Sequence, residues 1–267
     1  MAEVLGVSES GYYAWLKKKD HPSKRTIENQ KFEELILEKY NKNHKIYGIR
    51  KIANELVCNR KRVARIMKKM NLRSKVTKKY KSTTYSDHDL PVAENILKRD
   101  FTAEKPGQKM VSDITYIPTD EGWLYLAAVM DLCGRKIVGT ASGSRMTKEL
   151  VCDAMRDAKN RTGNMSGCVC HSDRGVQYCS LKYQEQLKSY GCICSMSRKG
   201  NCWDNAPMEC FWGKMKQEWL NEKHFKTREE AKKEIFNYIW IYYNRERIHA
   251  SNGYLTPEVY YNQRNKY

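Results

Sequence analysis

Apolar positions recur at helical spacing near the start of the chain and at strand spacing in its middle. Residues 8–18 predict a helix, with Ser8 as N-cap and Tyr12, Trp15 and Leu16 apolar. His21-Pro22-Ser23 breaks that run. Residues 26–41 predict an amphipathic helix on Ile27, Phe32, Leu35, Ile36 and Tyr40. Two short helices follow, about 48–56 and 60–70, joined by a turn at Val57-Cys58-Asn59. Ile49, Ile52, Ala53 and Leu56 share one face of the first; Val63, Ile66 and Met67 point inward on the second, which Asn59 can cap. This pair has the form of a helix-turn-helix or of a plain basic helical hairpin.

From residue 110 the period changes. Runs 110–117, 123–131 and 136–141 predict three strands joined by turns at Thr119-Asp120-Glu121-Gly122 and Cys133-Gly134, an antiparallel meander. Helix 148–160, strand 167–172, helix 181–189 and strand 191–196 come next. Helix 204–220 should bury Met208, Phe211, Trp212, Met215 and Trp219, and 228–244 is the last predicted helix. The order β-β-β-α-β-α-β-α predicts an α/β fold, a mixed sheet flanked by helices behind a small all-α region. We divide the chain into an N-terminal helical segment (1–25), a helix-turn-helix region (26–72), a basic linker (73–100) and an α/β core with C-terminal helices (101–267).

Charge sharpens the division. The net charge is +18, and the excess is uneven: residues 1–85 hold 22 Lys and Arg against 8 Asp and Glu. A basic first third on a nearly balanced body suits a nucleic-acid-binding arm. On helix 60–70 the basic set Lys61, Arg62, Arg65, Lys68 and Lys69 is left on the surface, where it would meet phosphates. The polar stretch 73–89 would lie along them. No apolar run reaches the ~20 residues a bilayer span needs, and Glu3, Ser8 and Glu9 break any signal-peptide pattern. The ten cysteines form no C-x-x-C pair and the six histidines no spaced partner set, so zinc is not expected. Cys168/Cys170 and Cys192/Cys194 alternate as inward strand positions would, as reduced thiols.

Three acids stand out among 31. Asp113 falls in strand 110–117, Asp173 ends strand 167–172, and Glu209 lies in helix 204–220, with 35 residues between the last two. Strand ends of an open sheet form the ligand crevice, and Pro207 is tolerated in the first helical turn. Gathered together, three carboxylates would repel unless divalent cations occupied the site. Mg2+ takes oxygen ligands and keeps some waters. Two such ions suit phosphodiester chemistry, one activating water or a 3′-hydroxyl and the other the leaving oxygen.

The flanking residues add specificity. Asp113-Ile114-Thr115-Tyr116, His171-Ser172-Asp173-Arg174-Gly175 and the run from Ser197 through Trp203-Asp204-Asn205-Ala206-Pro207-Met208 to Glu209 resemble the signature of IS-three family insertion-sequence transposases, second-frame product OrfB. That family belongs to the DDE transposase and retroviral integrase superfamily, and the 35-residue gap matches its D,D(35)E spacing. Tyr47-Gly48-Ile49-Arg50 and Val63 to Met67 resemble its helix-turn-helix; Tyr243 to His249 with Tyr254-Leu255-Thr256-Pro257 resemble its C-terminal signature; Leu5 to Trp15 resembles its start. Ser112, Met110 and Asn252 depart from the family pattern at positions that ligate no metal. The N-terminal His/Cys zinc module of retroviral integrases has no counterpart here.

The resemblance implies an RNase H-like fold, two Mg2+ ions with Mn2+ as a substitute, and joining of an element's 3′ end to target DNA. Asp113 would bridge both ions, with Asp173 on one and Glu209 on the other. It further implies self-association in a transposition complex, a frameshift fusion with the upstream OrfA, and a place on DNA in the bacterial cytoplasm. With no zipper heptad, this chain would be the catalytic half. Arg198, Lys199 and Asn201 precede the catalytic helix and would hold DNA near the metals or sit in a solvated loop. Arg247 and His249 would contact DNA or fasten the last helix; His171 would pack beside the site or act in catalysis; Trp203 is expected as a core anchor rather than a platform on which a base stacks. Two other functions fit the residues: a non-catalytic DNA-binding regulator, and an RNase H-like nuclease that cleaves without joining.

Overall fold

Alternating burial along residues 109–143 builds the meander. In the computed structural model, which describes residue 6 and residues 8–20, 23–75 and 91–265, β1 (Lys109–Ile117), β2 (Leu124–Asp131) and β3 (Lys136–Gly143) pair antiparallel. The β2–β3 turn needs left-handed backbone at Gly134 (φ 74°) and Arg135 (φ 56°). Asp131 tightens it by accepting the Cys133 N–H at 2.8 Å. Strands β4 (Val169–Ser172) and β5 (Ile193–Met196) then add in parallel, giving the order β3-β2-β1-β4-β5. The mixed five-stranded sheet predicted from the sequence is therefore present, with β1 at its centre.

Helix α5 (Lys148–Thr162) packs Leu150, Val151, Ala154, Met155 and Ala158 onto β2 and β3. Gly139 permits that approach, since a Cβ there would overlap the Ala154 carbonyl and Ala158. Helix α6 (Leu181–Ser189) buries Tyr183 and Leu187. Cys168 and Cys170 are buried free thiols, their sulfurs 3.9 Å apart, while Cys192 and Cys194 are half-buried.

The predicted helix 204–220 has three parts: a 3-10 turn (Cys202–Asn205), α7 (Ala206–Met215) and a π-helical stretch (Lys216–Leu220). Met208, Phe211, Trp212 and Met215 are buried as expected. Trp219 is only half-buried, because the wider π turn changes the phase and carries Glu218 and Leu220 inward instead. Helix α8 (Arg228–Phe236) starts in a capping box of Thr227 and Glu230 and continues as π-helix to Glu246. A further helix, α9 (Pro257–Arg264), goes beyond the predicted elements. Its signals are legible: Thr256 caps Val259 N–H and Pro257 occupies the first turn.

The chain divides into two compact units, residues 1–75 and 76–267. In the first, α1 (Glu9–Asp20) starts at Ser8, whose Oγ accepts the Gly11 N–H, but Tyr12, Tyr13 and Trp15 are exposed. Helix α2 (Lys24–Lys42) buries Ile36 and Tyr40 and leaves Ile27 and Leu35 largely exposed. Helices α3 (Ile49–Glu55) and α4 (Arg60–Lys69) pack Ile52 and Ala53 against Val63, Ile66 and Met67. Most of the expected basic stretch 73–89 and the His21-Pro22 break lie outside the described residues. Residues 94–99, placed in the linker on sequence grounds, are instead hydrogen-bonded into the catalytic unit.

Candidate active site

Strand β1 pairs with β4 in parallel, Val111 opposite His171. Two residues on come Asp113, still within β1, and Asp173, one residue past the carboxyl end of β4, where a sheet opens its ligand crevice. Helix α7 is tied to the same place twice. Asn205 Nδ2 donates to Ser112 O at 3.1 Å, and Trp212 Nε1 donates to Asp113 Oδ2 at 3.0 Å. Glu209 lies between those two, four residues after one and three before the other, on the same stripe. Desolvation pushes the Asp113 carboxyl well above the usual range, and repulsion from Asp173 and then Glu209 adds to it. Hydrogen bonds from Ile114 N–H and Trp212 oppose that rise. Partial desolvation also raises Glu209.

The Asp173 turn is held by Gly175 N–H, which donates to Asp173 Oδ1 at 2.9 Å. Behind it, His171 is 1 % exposed. Its Nδ1 lies 2.9 Å from Ser195 Oγ and its Nε2 3.1 Å from Ser197 Oγ. Ser195 Oγ already accepts from Ile96 N–H and Leu97 N–H, so its proton points at Nδ1. Nε2 then carries the ring proton and donates to Ser197, which donates to Ser172 O. The ring is a neutral packing and orienting group with no free edge for substrate.

A second proton on His171 would meet the Ser195 hydroxyl hydrogen, and burial drives its pKa down to about 4, with Asp204 acting weakly the other way. The unfolded chain takes up this proton near the ordinary value of 6.5, the native chain only near 4, so stability falls as pH drops across that window. Between pH 7 and pH 4.5 the expected loss is about 2 kcal/mol. Denaturant titrations of the wild type and His171→Gln at pH 7 and pH 4.5 check it. Equal pH dependence in the two proteins would refute the assignment.

Other expected site residues fare differently. Asp204 is 0 % exposed and receives Arg198 N–H, the Arg198 guanidinium, Arg99 and Asn95. The two arginines hold its carboxyl well below the usual range. Arg198 and Asn201 are thus engaged in holding the turn before Glu209, while keeping contact with solvent; Lys199 is exposed beside them. Trp203 is not a core anchor: it is 68 % exposed, projected outward between buried Asp204 and Asn205. Arg247 is a correction. It is 5 % exposed and grips Glu218 through Nε at 2.8 Å and a terminal nitrogen at 2.5 Å, so it fastens the C-terminal helices and is unavailable to DNA. His249 is buried beside it. Asn252, the departure from the family pattern, is buried and donates to Gly134 O at 2.8 Å.

Sequence reasoning missed Lys216. It continues the stripe of Asn205, Glu209 and Trp212 one turn further, its Nζ 4.9 Å from the Tyr116 ring centroid. Burial lowers its pKa to about 8, and the nearby Asp113 charge opposes the shift. The signal was the seven-residue spacing from Glu209, two turns along one helix face.

In the N-terminal unit, Lys61, Arg65 and Lys68 are exposed on α4. Arg62 stacks on Phe32 at 4.2 Å and bonds Asn29, and Lys69 pairs with Glu33 at 2.6 Å, so both also bind α4 to α2. A cleft of about 830 Å³ is lined by Lys24, Arg25, Lys61, Arg62 and Arg65 with Glu28, Asn29 and Asn59.

Among the described residues no three His, Cys, Asp or Glu side chains are gathered tightly enough to hold one ion by themselves. Mg2+ does not require that, since one or two carboxylates with several waters and phosphate oxygens suffice. A donor set of mutually repelling carboxylates, with Asp113 strained electrostatically by two others, fits divalent cations.

Comparison with known proteins agrees. Two models described as "Integrase core domain" match residues 103–202 and 190–257, and one described as "HTH-like domain" matches 27–80. The chain is 43 % identical over 265 residues to the "Insertion element IS600 uncharacterized 31 kDa protein" of Shigella sonnei, covering 97 % of each. It is 41 % identical over 268 residues to "Transposase InsF for insertion sequence IS3A" of Escherichia coli (strain K12), covering 98 % of this chain and 93 % of that one. Among solved structures, the HTLV-2 integrase catalytic core domain in complex with magnesium aligns at 15 % identity and a TM-score of 0.45, over 59 % of this chain and 97 % of that one. The two domain types imply DNA binding, and the integrase core implies dependence on a divalent metal. With five strands in the expected order, an acid on each expected element and near-full-length relatives, this chain belongs to the IS3 family of insertion-sequence transposases, enzymes of the DDE transposase/integrase type.

Proposed function

We propose that this transposase cleaves DNA at an element end and joins the exposed 3′-hydroxyl to target DNA, at the site built by Asp113, Asp173 and Glu209. The observation that supports this reading is the pair of hydrogen bonds tying α7 to β1, Asn205 Nδ2 to Ser112 O and Trp212 Nε1 to Asp113 Oδ2, with Glu209 on the helix stripe between them. Asp113 with Asp173 would hold one Mg2+, and Asp113 with Glu209 the other; Mn2+ would substitute. Bound there, the two ions would supply activation of the attacking hydroxyl or water and neutralise the leaving oxygen. Trp212 orients Asp113 through its indole N–H. Lys216, beside Asp113, would take a non-bridging phosphate oxygen, and Arg198, Lys199 and Asn201 the neighbouring backbone. The chain would work on DNA in the bacterial cytoplasm, as a self-associated complex, and with OrfA or fused to it for recognition of the ends.

The test is a labelled duplex bearing element ends, incubated with Mg2+. Joined products support this reading, cleavage alone a nuclease, and retarded but intact DNA a regulator.

The α4 face supplies a separate expectation. Neutralising six or more phosphates makes binding fall roughly 10^3-fold between 50 and 200 mM salt. Replacing Lys61, Arg65 and Lys68 together by Ala should weaken binding to all sequences and flatten the salt slope by about one per lost contact. Filter-binding titrations at four salt concentrations read both quantities; an unchanged slope removes α4 from the interface.

A further inference from the structure

Residues 94–99 precede β1 and run along the end of β5. Met196 N–H donates to Glu94 O at 3.3 Å, and Ile96 and Leu97 N–H donate to Ser195 Oγ at 2.9 and 3.1 Å. The Leu97 side chain is buried. Asn95 Nδ2 reaches Asp204 Oδ2 at 3.0 Å; Arg99 reaches Asp204 Oδ1 at 2.7 Å through Nε and Asn201 Oδ1 at 2.9 Å through a terminal nitrogen. One short segment therefore grips two turns. Through Ser195 it orders His171 and Ser197, next to the turn of Asp173. Through Asp204 and Asn201 it holds the turn that launches α7 and Glu209.

The backbone carries an independent mark. Lys98 (φ 47°) and Arg99 (φ 63°) are consecutive non-glycine residues in the left-handed region. Each such residue costs about 1 kcal/mol or more. A solvated tether would relax out of that conformation. Here Asn95 Oδ1 accepts the Lys98 N–H at 2.9 Å and closes a turn that aims Arg99 at Asp204. Asn95 thus commits both ends of its amide to the arrangement, one to the strap's own turn and one to Asp204.

We propose that residues 94–99 are a positioning strap for the carboxylate site, with Arg99 and Asn95 setting the turn from which Glu209 projects. This rests on the metal-binding role proposed for the three acids. Neither residue touches the reacting atoms; both act through Asp204. Metal sites tolerate misplacement of only about 0.5 Å, so loosening this turn should weaken ion binding before it disturbs DNA binding.

The experiment compares full-length wild type with Arg99→Ala, Arg99→Lys and Asn95→Ala. Three quantities are read: the Mg2+ concentration giving half of the metal-induced thermal stabilisation without DNA, the strand-transfer rate at saturating DNA, and metal-free affinity for the end duplex. Arg99→Ala should raise the Mg2+ midpoint about tenfold or more and lower the rate in step, with DNA affinity falling by far less than the midpoint rises. Arg99→Lys should recover part of both, and Asn95→Ala should shift them less, in the same direction. An unchanged midpoint and rate per folded molecule would overturn the proposal, and so would a loss confined to DNA affinity. If Arg99→Ala does not fold, Asn95→Ala, which keeps the Arg99 ion pair, decides between the same outcomes. Asp173→Asn is the control: if it too leaves the Mg2+ midpoint unmoved, the carboxylate site itself is wrong rather than the strap.

Discussion

Asp173→Asn and Glu209→Gln should each lower strand transfer at least about a thousandfold while leaving the fold and DNA affinity intact. Both changes preserve volume and remove one negative charge, so packing is untouched and the loss falls on the metal-dependent step. The same substitutions should not destabilise the metal-free protein. Asp113 sits where burial and two neighbouring carboxylates oppose its ionisation. Removing either neighbour relieves part of that repulsion, so thermal unfolding in EDTA should occur at the wild-type temperature or slightly above it. With Mg2+ added, the order should reverse, because the wild type gains more from the ion than either variant. Strand transfer near the wild-type rate in either variant would sink the three-carboxylate assignment.

The second large effect is structural. Glu218→Gln should cost about 3–5 kcal/mol, because Arg247 would remain buried with its charge uncompensated. Glu218 accepts two hydrogen bonds from Arg247 and one from Tyr238 Oη, all in the interior. For a unit of this size the loss corresponds to a fall of roughly 10 °C or more in Tm. Replacing both partners, as Glu218→Leu with Arg247→Met, should restore much of the stability, since paired apolar groups avoid the desolvation of two charges. Urea titrations of the single and double variants decide it. A single substitution costing under about 1 kcal/mol would mean that water reaches the pair.

Much of this was legible in the sequence because it depended on period and spacing. The meander, the two later strands and the placement of Asp113 in the first strand follow from alternation and turn residues; the central position of that strand and the parallel pairing are set by the tertiary fold. The motifs around the acids supplied what spacing among 31 acidic residues could not. The features that stayed illegible have different causes, and the largest is a partner distant in sequence. Arg247 looks like any basic residue near a C-terminus until Glu218 is turned inward by a π turn, and no local pattern announces that turn. Trp203 looks like core because tryptophan usually is; two buried neighbours in a 3-10 turn leave it no inward direction. Lys216 was missed for a simpler reason, since the stripe through Glu209 was not followed past Trp212.

Residues 94–99 fall between the helix-turn-helix match, which ends at residue 80, and the integrase-core match, which begins at 103. A chain cut at residue 103, where the integrase-core match begins, would keep Asp113, Asp173 and Glu209 and lose the segment that bonds to both turns. Asp204 would then lie buried with one arginine and one amide fewer. The boundaries that similarity draws around a domain and the boundaries of the part that must move as one piece are, in this protein, different lines.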